Sequence, residues 1–425
     1  MAKNKNKQQH PKSQSDKPSL STPKSTAPST QLLCAEDELT FRFAASDTWF
    51  FRESRPHDAV GASELASLFP PPIRTLAGAL RTYFGEQIDI NWQTLNSKLP
   101  GFDFQLALGG TDDLGQLQLN GPWIVYNNQR LYPAPLYLMH GDKAGQADLQ
   151  RLEPGQPVRC DIGRVRLPEL AMGFKGYKSL EQRWLTATGM AHCLSGKTPA
   201  INNIIKPDQL FSLESRLGIA RDNTNRKVLD GKLYQTRHLR LQDTVQIELD
   251  AHRLDSQLIE QLDKHNQPIL LRLGGEGRMA GLEKCCTRES LPFAEPQTVE
   301  TVETVLIHFL TPADFNGQWY PDGFKCTEHN GLTVWHGQLN GIELSIEAAI
   351  IGKVHREGGW DMKNHRPRPV KSYIPAGSVW FCRLPRATAW QTLIESLHGQ
   401  CLGNDSAFGR GQILLGHWRD LTTHQ

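Results

Sequence analysis

The chain runs through one succession of patterns twice. In the first pass Leu39, Phe41 and Phe43 alternate with polar residues, a strand pattern that Asp47-Thr48-Trp49-Phe50-Phe51-Arg52 continues. Pro70-Pro71-Pro72 leads into a helix over about 73–84 with Ile73, Leu76, Ala77, Leu80 and Phe84 on its apolar face. A long hairpin follows, with one arm over 214–221, a tip over 222–231 and a return arm over 232–249. A helix over 256–264 and a strand over 268–273 end the pass at Gly274-Gly275-Glu276-Gly277-Arg278. The second pass holds a strand over 302–310, a Gly/Trp-rich stretch with no helical pattern, and paired strands over 342–351 and 378–384. A helix over 387–398 and a strand over 412–417 complete it, with Phe408-Gly409-Arg410-Gly411 before the last strand.

Strand–helix–hairpin–helix–strand is the βαββαβ order of the ferredoxin-like (RRM-like) fold. The expectation is an α+β chain of two such domains, at 36–290 and 298–425, the second with its first helix reduced or lost. The region 98–205 reads as short strands plus a helical pattern at 179–193, a β-rich insertion in the first domain. Residues 1–35 are expected to be a disordered basic tail, because 1–30 carry almost no large apolar group. The eight cysteines form no C-x-x-C and read as reduced thiols of a cytoplasmic protein. No apolar run approaches the ~18 residues of a membrane span, and no spacing suggests a metal or cofactor, so none of these is expected.

The net charge of +2 conceals unlike segments. Residues 1–30 carry +5, 216–240 carry +5 and 352–371 carry +4, while the remaining 350 residues sum to −12. Positive charge gathered locally on an acidic body steers a polyanion even when the total is small.

The hairpin tip with Arg226 and Lys227 is one candidate nucleic-acid contact. A second is the loop that holds Lys353, His355, Arg356 and Trp360, where cations interleave with an aromatic ring as single-stranded RNA requires. Glycine lets a backbone approach phosphate, so Gly274, Gly275 with Arg278, and Gly409, Gly411 with Arg410, form a third. Arg74, Gly78 and Arg81 share one stripe of the first helix and invite close approach by a partner. The alternatives to these readings are solvated loops, tight turns and a packing glycine. Two nucleotide-site look-alikes fail on context. Ala191–Thr198 follows a helical pattern rather than a strand, and Gly275-x-Gly277-x-x-Ala280 lacks the βαβ unit. His57 and His355 lie near Arg in loops, where a His could serve RNA cleavage, but no catalytic motif surrounds them.

At 47–56 (Asp-Thr-Trp-Phe-Phe-Arg-Glu-Ser-Arg-Pro) and 69–81 (Phe-Pro-Pro-Pro-Ile-Arg-Thr-Leu-Ala-Gly-Ala-Leu-Arg), the sequence resembles the third subunit of the Cmr (type III-B) CRISPR effector complex, in the RAMP superfamily. Arg216-Leu217-Gly218-Ile219, Gly274–Arg278, Pro375–Val379 and Phe408–Gly411 extend the resemblance in the family's order. It implies two ferredoxin-like RAMP domains and a non-catalytic subunit that holds the 5′ tag of the crRNA. It also implies contacts with the large polymerase-like subunit and a backbone RAMP subunit, and with target RNA indirectly. Arg52 and Arg55 join the expected RNA contacts through the aromatic-Arg-x-x-Arg-Pro turn. The rival readings are a RAMP crRNA-processing endoribonuclease, the equivalent subunit of a Csm (type III-A) complex, and a structural protein that touches only protein.

Overall fold

The computed structural model describes residues 30–53, 64–143, 146–170, 176–222, 224–225, 227–264, 269–295, 301–362, 364–418 and 420. It mixes helix and strand and is built on two large antiparallel sheets. The first has eight strands, five of which run Gln118–Tyr126, Val245–His252, Leu39–Ala45, Met279–Cys285, Ile269–Arg272, the last at the sheet edge. Leu39, Phe41 and Phe43 point to one face, where the helix Ile73–Gln87 lays Ile73, Leu76, Leu80 and Phe84 on them. Phe41 meets Phe84 edge to face at 5.7 Å.

The opposite face of this sheet is polar yet buried. Arg130 is enclosed there, with Nε donating to Glu248 at 2.7 Å and its two terminal nitrogens to Asp250 at 2.6 and 2.9 Å. Thr40 and Trp123 also donate to Asp250. Burial alone would raise the Asp250 carboxyl, but Arg130 outweighs it and holds the carboxyl below the usual range.

The second sheet runs Lys325–His329, Leu332–Leu339, Ile342–Ile350, Val379–Ala389, Thr301–Phe309, Ile413–Gly416, all antiparallel. Val305, Ile307, Phe309 and Trp380 face the helix Trp390–Leu397 and a loop rich in aromatics. Leu306, Leu310, Phe381 and Leu414 face the other way, onto Tyr132, Tyr137, Leu185, Met190 and Leu194 from the first half. The region between 98 and 205 thus joins the halves through a shared core.

Four expectations change. The strand Gln118–Tyr126, expected in an insertion, is a central strand of the first sheet, because it pairs with Val245–His252. The return arm expected over 232–249 is two strands, Val228–Leu241 and Val245–His252, divided by a turn in which the Val245 N–H donates to the Gln242 carbonyl. Only the second enters the main sheet. The first pairs with Phe211–Arg221 and Glu64–Leu65 in a sheet of its own. The helical pattern expected at 179–193 is helix only over Ala187–Leu194, with the strands Lys178–Ser179 and Trp184–Leu185 before it; in the second half the hairpin of Lys325–His329 and Leu332–Leu339 widens the sheet where the sequence shows no helical pattern. Finally, the tail expected over 1–35 includes a strand, and its residues 1–29 lie outside the described residues. Gln31–Leu33 forms a strand against Thr287–Glu289, a partner too distant in sequence for local pattern to reveal. Among the described residues, no helix is long and apolar enough to cross a membrane.

Candidate nucleic-acid interface

The helix Ile73–Gln87 lines a seam between the halves. Its Arg74 spans that seam, lying 4.2 Å over the Phe408 ring and pairing with Asp405 at 3.2 Å. Arg81 donates to the carbonyls of Gly109 and Gly110 at 2.6 and 2.5 Å, fixing the turn that holds Thr111 and Asp112. From the second half, Arg368 reaches the same turn, donating to the Thr111 carbonyl at 2.9 Å and pairing with Asp112. Lys371 pairs with Asp405 at 2.9 Å. The stripe expected to meet a partner therefore has both arginines committed within the chain. Gly78, between them, is exposed, and a Cβ there would meet nothing within 4 Å.

The excursion His355–Tyr373 leaves the second sheet beside this seam. His355 pairs with Tyr373 in register and hydrogen-bonds Glu357 at 2.7 Å. Glu357 is buried and also holds Arg410, whose guanidinium lies 4.6 Å over the Tyr373 ring. Burial would raise the Glu357 carboxyl, but Arg410 and His355 overcome it and hold the carboxyl down at about 2. Arg410 is 4% exposed, so the sequence-based expectation that it contacts RNA is corrected: its charge is spent on Glu357 inside the protein. Gly409 and Gly411 are corrected with it. A Cβ on Gly409 would lie 2.6 Å from the Leu119 carbonyl oxygen, and one on Gly411 2.0 Å from that of Leu402, so both glycines serve internal packing.

Gly274 and Gly275 form a turn rather than a strand end, joining Ile269–Arg272 to Met279–Cys285. Gly274 has φ +86° and sits against the Phe50 carbonyl, to which the Gly275 N–H donates at 2.8 Å. Arg278 pairs with Asp47 at 3.3 Å. Asp47 also takes Arg216 at 3.1 Å and Arg240 at 3.0 Å, and these bonds hold its carboxyl below the usual range, Arg216 first. With Glu214 on Arg216 and Arg240, and Glu64 on Arg237, the three arginines at the base of the basic hairpin are paired. Nothing in the sequence marked Asp47 as this hub; it stands in the segment that carried the resemblance, but its partners come from elsewhere in the fold.

Lys353 is exposed and pairs with Glu181. Arg52, Lys227, Arg356 and Arg366 are exposed, and their side chains have no polar partner among the described residues. Trp360 is exposed as well. Arg55, His57 and Arg226 lie outside the described residues. The look-alike at Ala191–Thr198 begins inside the helix Ala187–Leu194, and Arg151 takes the Cys193 and Lys197 carbonyls. All eight cysteines are free thiols. Among the described residues, no group of three or more His, Cys, Asp or Glu could hold a metal ion.

Residues 41–418 match a family of CRISPR-associated proteins. That family is Cas_Cmr3, and the chain belongs to it. Among solved structures, the chain is similar to one from the cryo-EM structure of the type III-B Cmr-beta bound to cognate target RNA. That match has 14% identity and a TM-score of 0.42, and it covers 80% of this chain and 86% of the other. It is also similar to a chain of the Csm3-Csm4 subcomplex of the type III-A CRISPR-Cas interference complex. There the identity is 11% and the TM-score 0.37, with 90% of this chain and 100% of the other covered. A comparison with curated proteins gives no match.

Proposed function

We propose that the chain is a non-catalytic RNA-binding subunit of a type III CRISPR ribonucleoprotein. It holds the 5′ tag of the crRNA and joins the large polymerase-like subunit to the backbone RAMP subunits. The observation that carries the reading is the excursion at 355–373. It presents Arg356 and Arg366 without carboxylate partners, with Trp360 between them, beside a seam where Gly78 leaves the helix surface open. Cations track a single-stranded backbone while bases splay out and are read one at a time.

We read the chain as two ferredoxin-like RAMP domains, over 36–290 and 298–425. In each sheet the last strand lies beside the first, the first beside the third and the third beside the second, if Met279–Cys285 and Ile413–Gly416 are taken as the last. That is the order of a ferredoxin-like unit. His355 is tied to Glu357 in a chain of ion pairs that ends on Arg410, which fits a structural duty better than a general base.

The test is binding of the full-length protein to crRNA with and without its 5′ tag. Loss of the tag weakens binding at least tenfold, a difference of about 1.4 kcal/mol. Equal affinity for the two RNAs contradicts the tag-holding role.

A further inference from the structure

The sequence contains ten tryptophans. Nine of them set the ring against another aromatic ring: Trp49, Trp92, Trp123, Trp184, Trp319, Trp335, Trp380, Trp390 and Trp418. Trp360 has no ring partner among the described residues and is the most exposed, at 53%. Even Trp92, at 47%, rests on Phe104. A fold that pairs every other indole leaves this one unused.

The surroundings hold that indole in place. Trp360 stands opposite Pro367 in an antiparallel pair, so the two side chains share one face. The tip beyond is fixed by Asp361, which accepts from the Asn364 N–H at 3.1 Å and from its Nδ2 at 2.7 Å. The base of the pair is anchored to the first half through Arg368. The preceding Gly359 has φ +152°, and a Cβ there would meet only the Arg368 stem, at 3.5 Å. Arg366 stands opposite Asp361 in the same pair, on the other face from the indole, and both Arg356 and Arg366 are exposed.

We infer that Trp360 is a nucleobase-stacking residue: one splayed base of the bound single strand lies on its indole. This rests on the RNA-binding reading above. Every base has a π-face, so the platform tolerates sequence.

The experiment uses the full chain and crRNA 5′-tag RNAs that carry one 2-aminopurine at successive positions. Emission is quenched at one position in complex with the wild type. Trp360→Phe keeps that quench, and Trp360→Leu abolishes it and weakens binding about tenfold. The salt slope is unchanged in Trp360→Leu, because no phosphate contact is lost. If Trp360→Leu binds and quenches like the wild type, the inference is overturned and RNA binding stands. A Trp360→Leu variant that instead loses a co-purifying protein makes the indole a protein contact and overturns it too. If the wild type does not bind RNA, the RNA-binding reading fails first.

Discussion

Arg410 and Arg356 look alike in sequence, each an arginine beside glycine or histidine in a loop, yet the fold gives them opposite duties. Arg410 is buried on Glu357; Arg356 is exposed. What separates them is the buried carboxylate, which no local pattern announces. Glu357→Gln leaves Arg410 enclosed without a counter-charge and lowers stability by about 3–5 kcal/mol near neutral pH, read from thermal melts. The Glu357 carboxyl is held at about 2, below its ordinary value of 4.5. Its contribution is therefore present above pH 4.5 and lost as pH falls toward 2. The gap between wild type and variant narrows over that range. A gap independent of pH contradicts the pairing. The same logic explains why Arg278, Arg216 and Arg240 were legible as basic but not as paired: Asp47 gathers all three from distant strands.

At the level of elements, the strongest periodicities are found where the sequence puts them, whereas the helical pattern at 179–193 is helix only over Ala187–Leu194. The helix expected over 73–84 is Ile73–Gln87, and Leu39, Phe41 and Phe43 do line the core. Pairing was less legible. Gln118–Tyr126 reads as a strand, but nothing in its residues says that it will sit beside Val245–His252. The glycine-rich segments also misled, since glycine that approaches phosphate and glycine that approaches the chain's own carbonyls look the same. Two alanine substitutions separate these uses. Gly409→Ala places a Cβ 2.6 Å from the Leu119 carbonyl oxygen at φ +68°, and it lowers the melting temperature by several degrees, since such strain costs about 1–3 kcal/mol. Gly78→Ala meets open space in a helix and raises stability by up to about 1 kcal/mol. If Gly409→Ala melts like the wild type, the close packing of the halves at this turn is contradicted.

For the whole molecule, a net charge of +2 says little about partners, and the fold shows why. In 216–240, Arg216, Arg237 and Arg240 pair with Asp47, Glu64 and Glu214; in 352–371, Lys353, Arg368 and Lys371 pair with Glu181, Asp112 and Asp405, while Arg356 and Arg366 stay exposed. The central claim is that the excursion of the second half grips an RNA backbone. Its most direct test is the affinity of the full chain for single-stranded RNA against salt, for the wild type and for Arg356→Ala with Arg366→Ala. Each lost phosphate contact flattens the slope of log K against log salt by about 0.7, so the double variant flattens it by about 1.4. An unchanged slope and affinity in the double variant would contradict the account.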